Sequence, residues 1–116
     1  MRISPDRERI LNKLQSEINY QFKDIELLNT SLTHSSYVNE NKGKCDKSNE
    51  RLEFLGDSVI SLVVSEYLYK RFIEFPEGDL TKRRASVVCE SSLAFAARKI
   101  NLGDYLLLGK GEDATG

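Results

Sequence analysis

Three acidic residues near the middle of the chain have a spacing that could support chemistry. Glu50, Glu53 and Asp57 stand at positions i, i+3 and i+7, so a helix would place them on one face. Carboxylates one turn apart repel each other, and burying them costs more still unless a cation compensates. The hard oxygen ligands of Glu53 and Asp57 suit Mg²⁺. The spacing is therefore compatible with a metal site, in which Glu50 would support the site or hold a water molecule.

Such a site would suit phosphodiester hydrolysis. A Mg²⁺ ion bound by two carboxylates keeps several waters, is often completed by a substrate phosphate, and activates water for attack. Another interpretation remains open, because acidic residues in the first turns of a helix are common and are favoured by the helix dipole. Arg51, or a basic residue from another helix, could also neutralise Glu53. Spacing alone does not decide between a metal site and acidic helix ends.

The helix that carries these carboxylates is predicted to organise the fold. Between Asn49 and Phe72 apolar residues cover most of the helix circumference, and a helix of that kind is normally buried. Ser48 is predicted to cap its start, and Pro76 is predicted to end it near Glu74. Gly56 in its interior costs about 1 kcal/mol relative to alanine, which indicates a close approach by another helix.

The remaining segments also have helical patterns. Ser4 and Asp24 are predicted N-caps, and residues 39–48 are predicted to form a solvated loop. The other predicted helices are Pro5–Ile18, a second helix from Asp24 to near His34, Leu80–Val88 capped by Asp79, and Glu90–Ile100 closed by Gly103. Together these patterns predict an all-α domain of about five helices, built around one long buried helix.

Composition limits the class of protein. The 116 residues suit one domain, and 40% hydrophobic with 30% charged residues is typical of a soluble globular protein. A formal net charge of -1 does not by itself indicate nucleic-acid binding, so phosphate contacts would need local basic patches or metal ions. Cys45 and Cys89 lack metal-type spacing and are predicted to be free thiols in a reducing cytosol. No run of residues reaches transmembrane length, so no membrane association is expected.

Several segments resemble one family. The stretch NERLEFLGDS (49–58) resembles the signature of the ribonuclease III family, the double-stranded-RNA endonucleases. The resemblance extends to LTHSSYVNE (32–40), EGDLTKRRASVV (77–88) and DYLLLGKGE, so it covers nearly the whole chain and is bacterial in type. It implies a cytoplasmic, all-helical homodimer that processes RNA, including ribosomal precursors. Each of two sites would cut one strand with Mg²⁺, or Mn²⁺ as a substitute ion, and leave staggered ends with 5′ phosphates.

The resemblance also implies roles for particular residues. Glu53 and Asp57 match the metal-binding carboxylates of the signature, and Asp57 and Glu50 match its catalytic residues. Phe54 matches an aromatic residue that enters a socket on the partner subunit of the dimer. Glu77 matches a glutamate that lies near the RNA.

The chain differs from the family pattern in two ways. The family completes its metal site with an aspartate and a glutamate three residues apart on a later helix, whereas Glu112 and Asp113 lack that spacing. The double-stranded-RNA-binding domain of the family has no counterpart here. Residues 1–116 are therefore expected to be a nuclease domain that lacks its C-terminal helices and cleaves little RNA alone. The alternatives are a non-catalytic dimerisation or RNA-scaffold module of the same fold, and a plain helical protein with acidic helix ends.

Overall fold

The computed structural model describes residues 3–111, which are mostly helical. The helices are α1 (Pro5–Ile18), α2 (Ile25–Ser31), α3 (Ser35–Glu40), α4 (Glu50–Arg71), α5 (Glu77–Val87), α6 (Glu90–Lys99) and a 3₁₀ turn, Leu102–Tyr105. Within residues 3–111 the one extended pairing is a parallel bridge between Thr33 and Leu107. The all-α prediction is confirmed. The predictions made for Glu112 and Asp113 lie outside the described residues.

Local signals place the first two helices where they were predicted. The Ser4 side chain accepts a hydrogen bond from the Arg7 backbone N–H at 3.1 Å, and Pro5 occupies the first turn of α1. Proline is tolerated there because the first N–H groups of a helix have no partner within it. The Asp24 carboxylate accepts from the amides of Glu26 and Leu27, the second and third residues of α2, at 3.1 and 3.2 Å. These caps confirm the predicted starts of α1 and α2.

The core lies between α1, α2 and the 3₁₀ turn. Its buried apolar residues are Leu11, Leu14, Leu28, Leu32 and Tyr105. Arg7 links the same three elements, since its guanidinium donates to Asn29 Oδ1 at 2.7 Å and to the Tyr105 carbonyl at 2.6 Å. Burial lowers the pKa of Arg7, while the hydrogen bonds to two neutral oxygens satisfy its donors. This arrangement joins residues far apart in sequence without using α4.

The prediction that α4 is buried is wrong for the described chain. Leu68 is the one buried residue of α4, whereas Phe54 exposes 81% and Leu62 70% of its surface. α4 packs along α5 through its C-terminal half, and a Cβ added at Gly56 would meet nothing within 4 Å. Apolar residues around a helix show that it needs cover, but they do not say which segment or which second chain supplies the cover.

Three boundaries of α4 and α5 differ from the predictions. Asn49 rather than Ser48 occupies the N-cap position of α4. α4 ends at Arg71 rather than near Glu74, because the chain turns there and the rings of Phe72 and Phe75 pack 4.8 Å apart. α5 begins at Glu77, so Asp79 lies in its first turn instead of capping it. Acidic residues in a first turn are favoured by the helix dipole, which explains the earlier start.

The segment between α2 and α4 contains a helix that was not predicted. α3 spans six residues, and the His34 side chain caps it by accepting from the Ser36 N–H at 3.1 Å. The second helix was predicted to end near His34; it ends at Ser31, and His34 instead caps the start of α3. None of the helices within residues 3–111 combines the length and hydropathy needed to cross a membrane.

Candidate active site on the first turns of α4

The structure places the three predicted carboxylates on the exposed N-terminal half of α4. Glu50, Glu53 and Asp57 are all exposed to solvent. With a rise of about 1.5 Å per residue, Glu53 and Asp57 are separated by roughly 6 Å along the helix axis. Two carboxylates one turn apart can both reach toward an ion or substrate placed over that face. The helical register predicted from the sequence is therefore present.

Ion pairing does not neutralise these carboxylates within residues 3–111. The ion pairs in that range join Arg9 to Asp6 and Lys70 to Glu66, so none involves the three acidic residues at the start of α4. The alternative in which Arg51 or a residue of another helix clasps Glu53 is not observed among the described residues. Unpaired carboxylates on one face favour an incoming cation.

The donor set fits part of a hydrated Mg²⁺ site. Within residues 3–111 no three His, Cys, Asp or Glu side chains are gathered closely enough to hold a metal ion. Glu53 and Asp57 supply the hard oxygen ligands that Mg²⁺ prefers, and Mg²⁺ usually keeps several waters when only one or two carboxylates bind it. Residues 3–111 thus offer two candidate ligands rather than a closed cage.

Glu50 borders a separate cleft beside the start of α4. The cleft has a volume of about 520 Å³ and lies between α2 and residues 45–52. Its walls include Asp24, Thr33, Ser48, Glu50 and Arg51, but neither Glu53 nor Asp57. Glu50 therefore lies at the edge of the carboxylate face, next to a polar cavity.

Glu77 is not brought to the carboxylate face. It begins α5 and lines a pocket of about 380 Å³ against the C-terminal half of α4, with Ser65 and Arg84. Asp57 and Ser65 are eight residues apart on α4, which corresponds to roughly 12 Å along the axis. Arg84 donates to Ser65 Oγ at 2.9 Å and so ties α5 to this distant part of α4. The assignment of Glu77 to an RNA-proximal role stays a prediction.

An exposed apolar ridge lies on the same half of α4 as the carboxylates, mostly on the other side of the helix. Phe54 follows Glu53 directly, and the other large exposed apolar residues on this part of α4 are Leu55, Val59, Leu62 and Val63. Isolated apolar residues are normal at a surface, but a contiguous row marks a surface that another element or chain covers. The predicted metal site and the predicted contact residue therefore share one stretch of helix.

A basic cluster at the α4–α5 turn is held in place by aromatic rings. The Arg83 guanidinium lies 4.8 Å from the ring centroids of both Phe72 and Phe75. Such cation–π contacts restrict a long side chain that would otherwise sample many rotamers. The basic run Lys82–Arg84 is therefore partly structural, because Arg83 stacks on aromatic rings and Arg84 binds Ser65.

Residues 31–36 form a connecting segment that no sequence pattern predicted. Its carbonyls accept from α4 on one side, where the Asn49 N–H donates to Thr33 O at 2.8 Å. On the other side the Leu107 N–H donates to Leu32 O at 2.8 Å, and Gly109 N–H donates to Ser36 Oγ at 2.8 Å. No local pattern in the sequence identifies these partners, because they are far from residues 31–36 along the chain.

Comparisons with known proteins agree on one family. A family model described as "Ribonuclease-III-like" matches residues 24–116. The chain is 59% identical over 108 residues to Ribonuclease 3 of Caldanaerobacter subterraneus subsp. tengcongensis, covering 92% of this chain and 46% of that protein. It is 49% identical over 114 residues to Ribonuclease 3 of Halalkalibacterium halodurans, covering 98% of this chain and 43% of that one. The chain thus spans less than half the length of these curated relatives.

Solved structures give the same result for the fold. The nuclease domain of ribonuclease III from Campylobacter jejuni superposes with a TM-score of 0.81 at 46% identity, covering 91% of this chain and 70% of that chain. That structure is described as showing flexibility in a region involved in dimer formation. A second structure of the same Campylobacter domain gives a TM-score of 0.79 at 47% identity.

Proposed function

The chain belongs to the ribonuclease III family, and on that premise we propose that the whole protein is a cytoplasmic, Mg²⁺-dependent endonuclease of double-stranded RNA. The main support is the pair Glu53 and Asp57. Both are exposed to solvent, they lie one helical turn apart, and neither takes part in an ion pair within residues 3–111. Mn²⁺ is a substitute ion of similar ligand preference. The products would be staggered ends with 5′ phosphates, in the processing of structured RNA such as ribosomal precursors.

The chain's own residues would act mainly by position and charge. Glu53 and Asp57 would hold the metal ion, which when bound activates water and stabilises charge on the phosphate. Glu50 lies at the edge of the carboxylate face and beside the polar cleft. There it would orient a water molecule by accepting a hydrogen bond from it. Negative carboxylates alone would repel the phosphates of RNA, so binding of substrate at this face depends on the cation.

We propose that the protein acts as a homodimer through the exposed ridge of α4. Phe54, exposed over 81% of its surface, would insert into the partner subunit. Covering that ridge would remove several large side chains from water, each worth about 1.5–3 kcal/mol when fully buried. The alternative function, a non-catalytic dimerisation or RNA-scaffold module, would use the same ridge without needing the carboxylates.

The test measures cleavage of a double-stranded RNA by the full-length protein in the presence of Mg²⁺. Replacing Asp57 by Asn removes a charged ligand and is expected to lower the rate by at least about 100-fold, more than loss of a residue that only supports a ligand. Glu66→Gln is the matched control, since Glu66 is an exposed acid of the same helix that pairs with Lys70. We expect the control to retain its rate within about twofold, because surface pairs contribute little.

The outcomes separate the two functions. Cleavage that depends on Mg²⁺ and is lost in Asp57→Asn supports the enzyme. An unchanged rate in Asp57→Asn would show that the carboxylate face is not the active site. A full-length protein that dimerises and binds RNA, but does not cut it in Mg²⁺ or Mn²⁺, would favour the scaffold.

A further inference from the structure

Asn49 occupies the N-cap position of α4 but does not cap the helix. Asparagine is among the preferred N-cap residues because its side-chain oxygen usually accepts from the second or third helical N–H. Here the Asn49 side chain makes no cap hydrogen bond, and its backbone angles are φ −86° and ψ 7° rather than extended. Instead its Nδ2 donates to the Ser31 carbonyl at 3.1 Å. The side chain therefore reaches across to the end of α2.

The backbone of Asn49 extends the same connection in both directions. Its N–H donates to Thr33 O at 2.8 Å, and its carbonyl accepts from the Glu53 N–H at 2.7 Å. Thr33 is 1% exposed, and its hydroxyl donates to the Asn29 carbonyl at 2.7 Å. A buried, hydrogen-bonded residue is thus connected through Asn49 to the first turn of α4, where the carboxylates begin.

We propose that Asn49 is a positioning residue, whose carboxamide holds the first turn of α4, and with it Glu50 and Glu53, at a fixed orientation to α2. The inference rests on the proposed function of the carboxylate face. Within residues 3–111 the N-terminal half of α4 contributes no buried residue, so the contacts of Asn49 are what connect its first turn to α2 and Thr33 in this part of the chain. Segments with few buried contacts open most readily, and a helix end without an anchor frays.

Ser48 supplies a local contact that serves as a matched comparison. Its hydroxyl accepts from the Glu50 N–H at 3.3 Å, so it supports the start of the helix without reaching another element. Asn49→Ala and Ser48→Ala therefore each remove one polar side chain from adjacent positions. Only the first removes the hydrogen bond from α4 to α2.

The experiment uses the full-length protein and measures the Mg²⁺ concentration that gives half-maximal cleavage of double-stranded RNA. Asn49→Ala is expected to raise that concentration roughly fivefold, the factor that corresponds to one hydrogen bond of ordinary net strength. Ser48→Ala is expected to change it by less than about twofold, since its long contact is a weak one. Amide hydrogen exchange provides a second readout, and residues 50–57 should exchange faster in Asn49→Ala than in Ser48→Ala.

A second variant distinguishes loss of the hydrogen bond from misfolding. Asn49→Asp keeps the shape of the side chain but lacks the N–H donor. Its extra negative charge would by itself strengthen cation binding, so a higher Mg²⁺ requirement would report the lost donor. If both Asn49 variants match Ser48→Ala in Mg²⁺ requirement and in exchange, the inference is overturned.

The same measurements distinguish this inference from the proposed function. Cleavage that survives Asp57→Asn would refute the active site, while amide exchange would still report whether Asn49 holds the first turn. Cleavage that is lost in Asp57→Asn but unaffected in both Asn49 variants would refute the positioning role alone.

Discussion

Replacing Gly109 by alanine tests whether the chain after the 3₁₀ turn is held closely against α3. Gly109 is buried, and its N–H donates to Ser36 Oγ at 2.8 Å. A Cβ added to Gly109 would lie 2.8 Å from the Ser36 carbonyl oxygen and would also meet the Glu40 carboxylate. The Glu40 side chain could swing aside, but Ser36 O belongs to the helix backbone. Either α3 or the Gly109 segment must therefore move.

The geometry sets the magnitude of the effect. Forcing an extra methyl into a packed position costs about 1–3 kcal/mol. Displacing the segment would also weaken its hydrogen bond to Ser36, worth roughly 1 kcal/mol. We expect Gly109→Ala to reduce the free energy of unfolding by about 2 kcal/mol. For a domain of this size, that corresponds to a fall in Tm of roughly 8 °C.

Thermal unfolding of the 116-residue chain, followed by circular dichroism, measures this difference. Gly103→Ala is the matched control, because a Cβ added at Gly103 meets nothing within 4 Å. We expect the control to change Tm by less than about 2 °C, as substitutions in open surroundings are nearly neutral. If Gly109→Ala melts together with the parent and the control, the close contact between α3 and this segment does not exist in solution.

Two further predictions concern the core and the thiols. Leu11 is 0% exposed, so Leu11→Ala should lower the free energy of unfolding by about 2–5 kcal/mol in a urea titration. Leu27→Ala, at a residue that is 49% exposed, should cost less than Leu11→Ala, and equal losses would contradict the assigned core. Hydrogen bonding with Ser91 and Ser92 lowers the pKa of Cys89 to about 7, so the thiolate predominates above that pH and the thiol below it. Alkylation of Cys89 by iodoacetamide, followed by mass spectrometry, should therefore reach half its maximal rate near pH 7, and a rate still rising at pH 8.5 would contradict the shift.

Local signals in the sequence were sufficient for much of the secondary structure. Ser4 and Asp24 cap their helices because the acceptor oxygen and the helical amides are two or three residues apart, and that distance can be read directly along the chain. The same holds for the carboxylates of Glu50, Glu53 and Asp57, whose shared face follows from the helical repeat alone. Whether they bind Mg²⁺ stays a prediction.

Tertiary structure decided what no local signal could. The sequence predicted that α4 needs cover, but the described core formed around α1, α2 and Tyr105, leaving Phe54 exposed. Folding also placed Glu77 against the C-terminal half of α4, away from Asp57. Such outcomes depend on which apolar surfaces find each other, a choice made by all segments of the fold together.

Asn49 is the clearest example of a contact that the sequence does not predict. Ser48 was predicted to cap α4, whereas Asn49 occupies the N-cap position and its carboxamide donates to Ser31, eighteen residues earlier in the chain. A hydrogen bond across that separation forms only after packing has brought α2 and α4 together, because closing the loop costs conformational entropy that the bond alone does not repay. The sequence alone determined which residues could do chemistry, whereas folding decided which residues hold them in position.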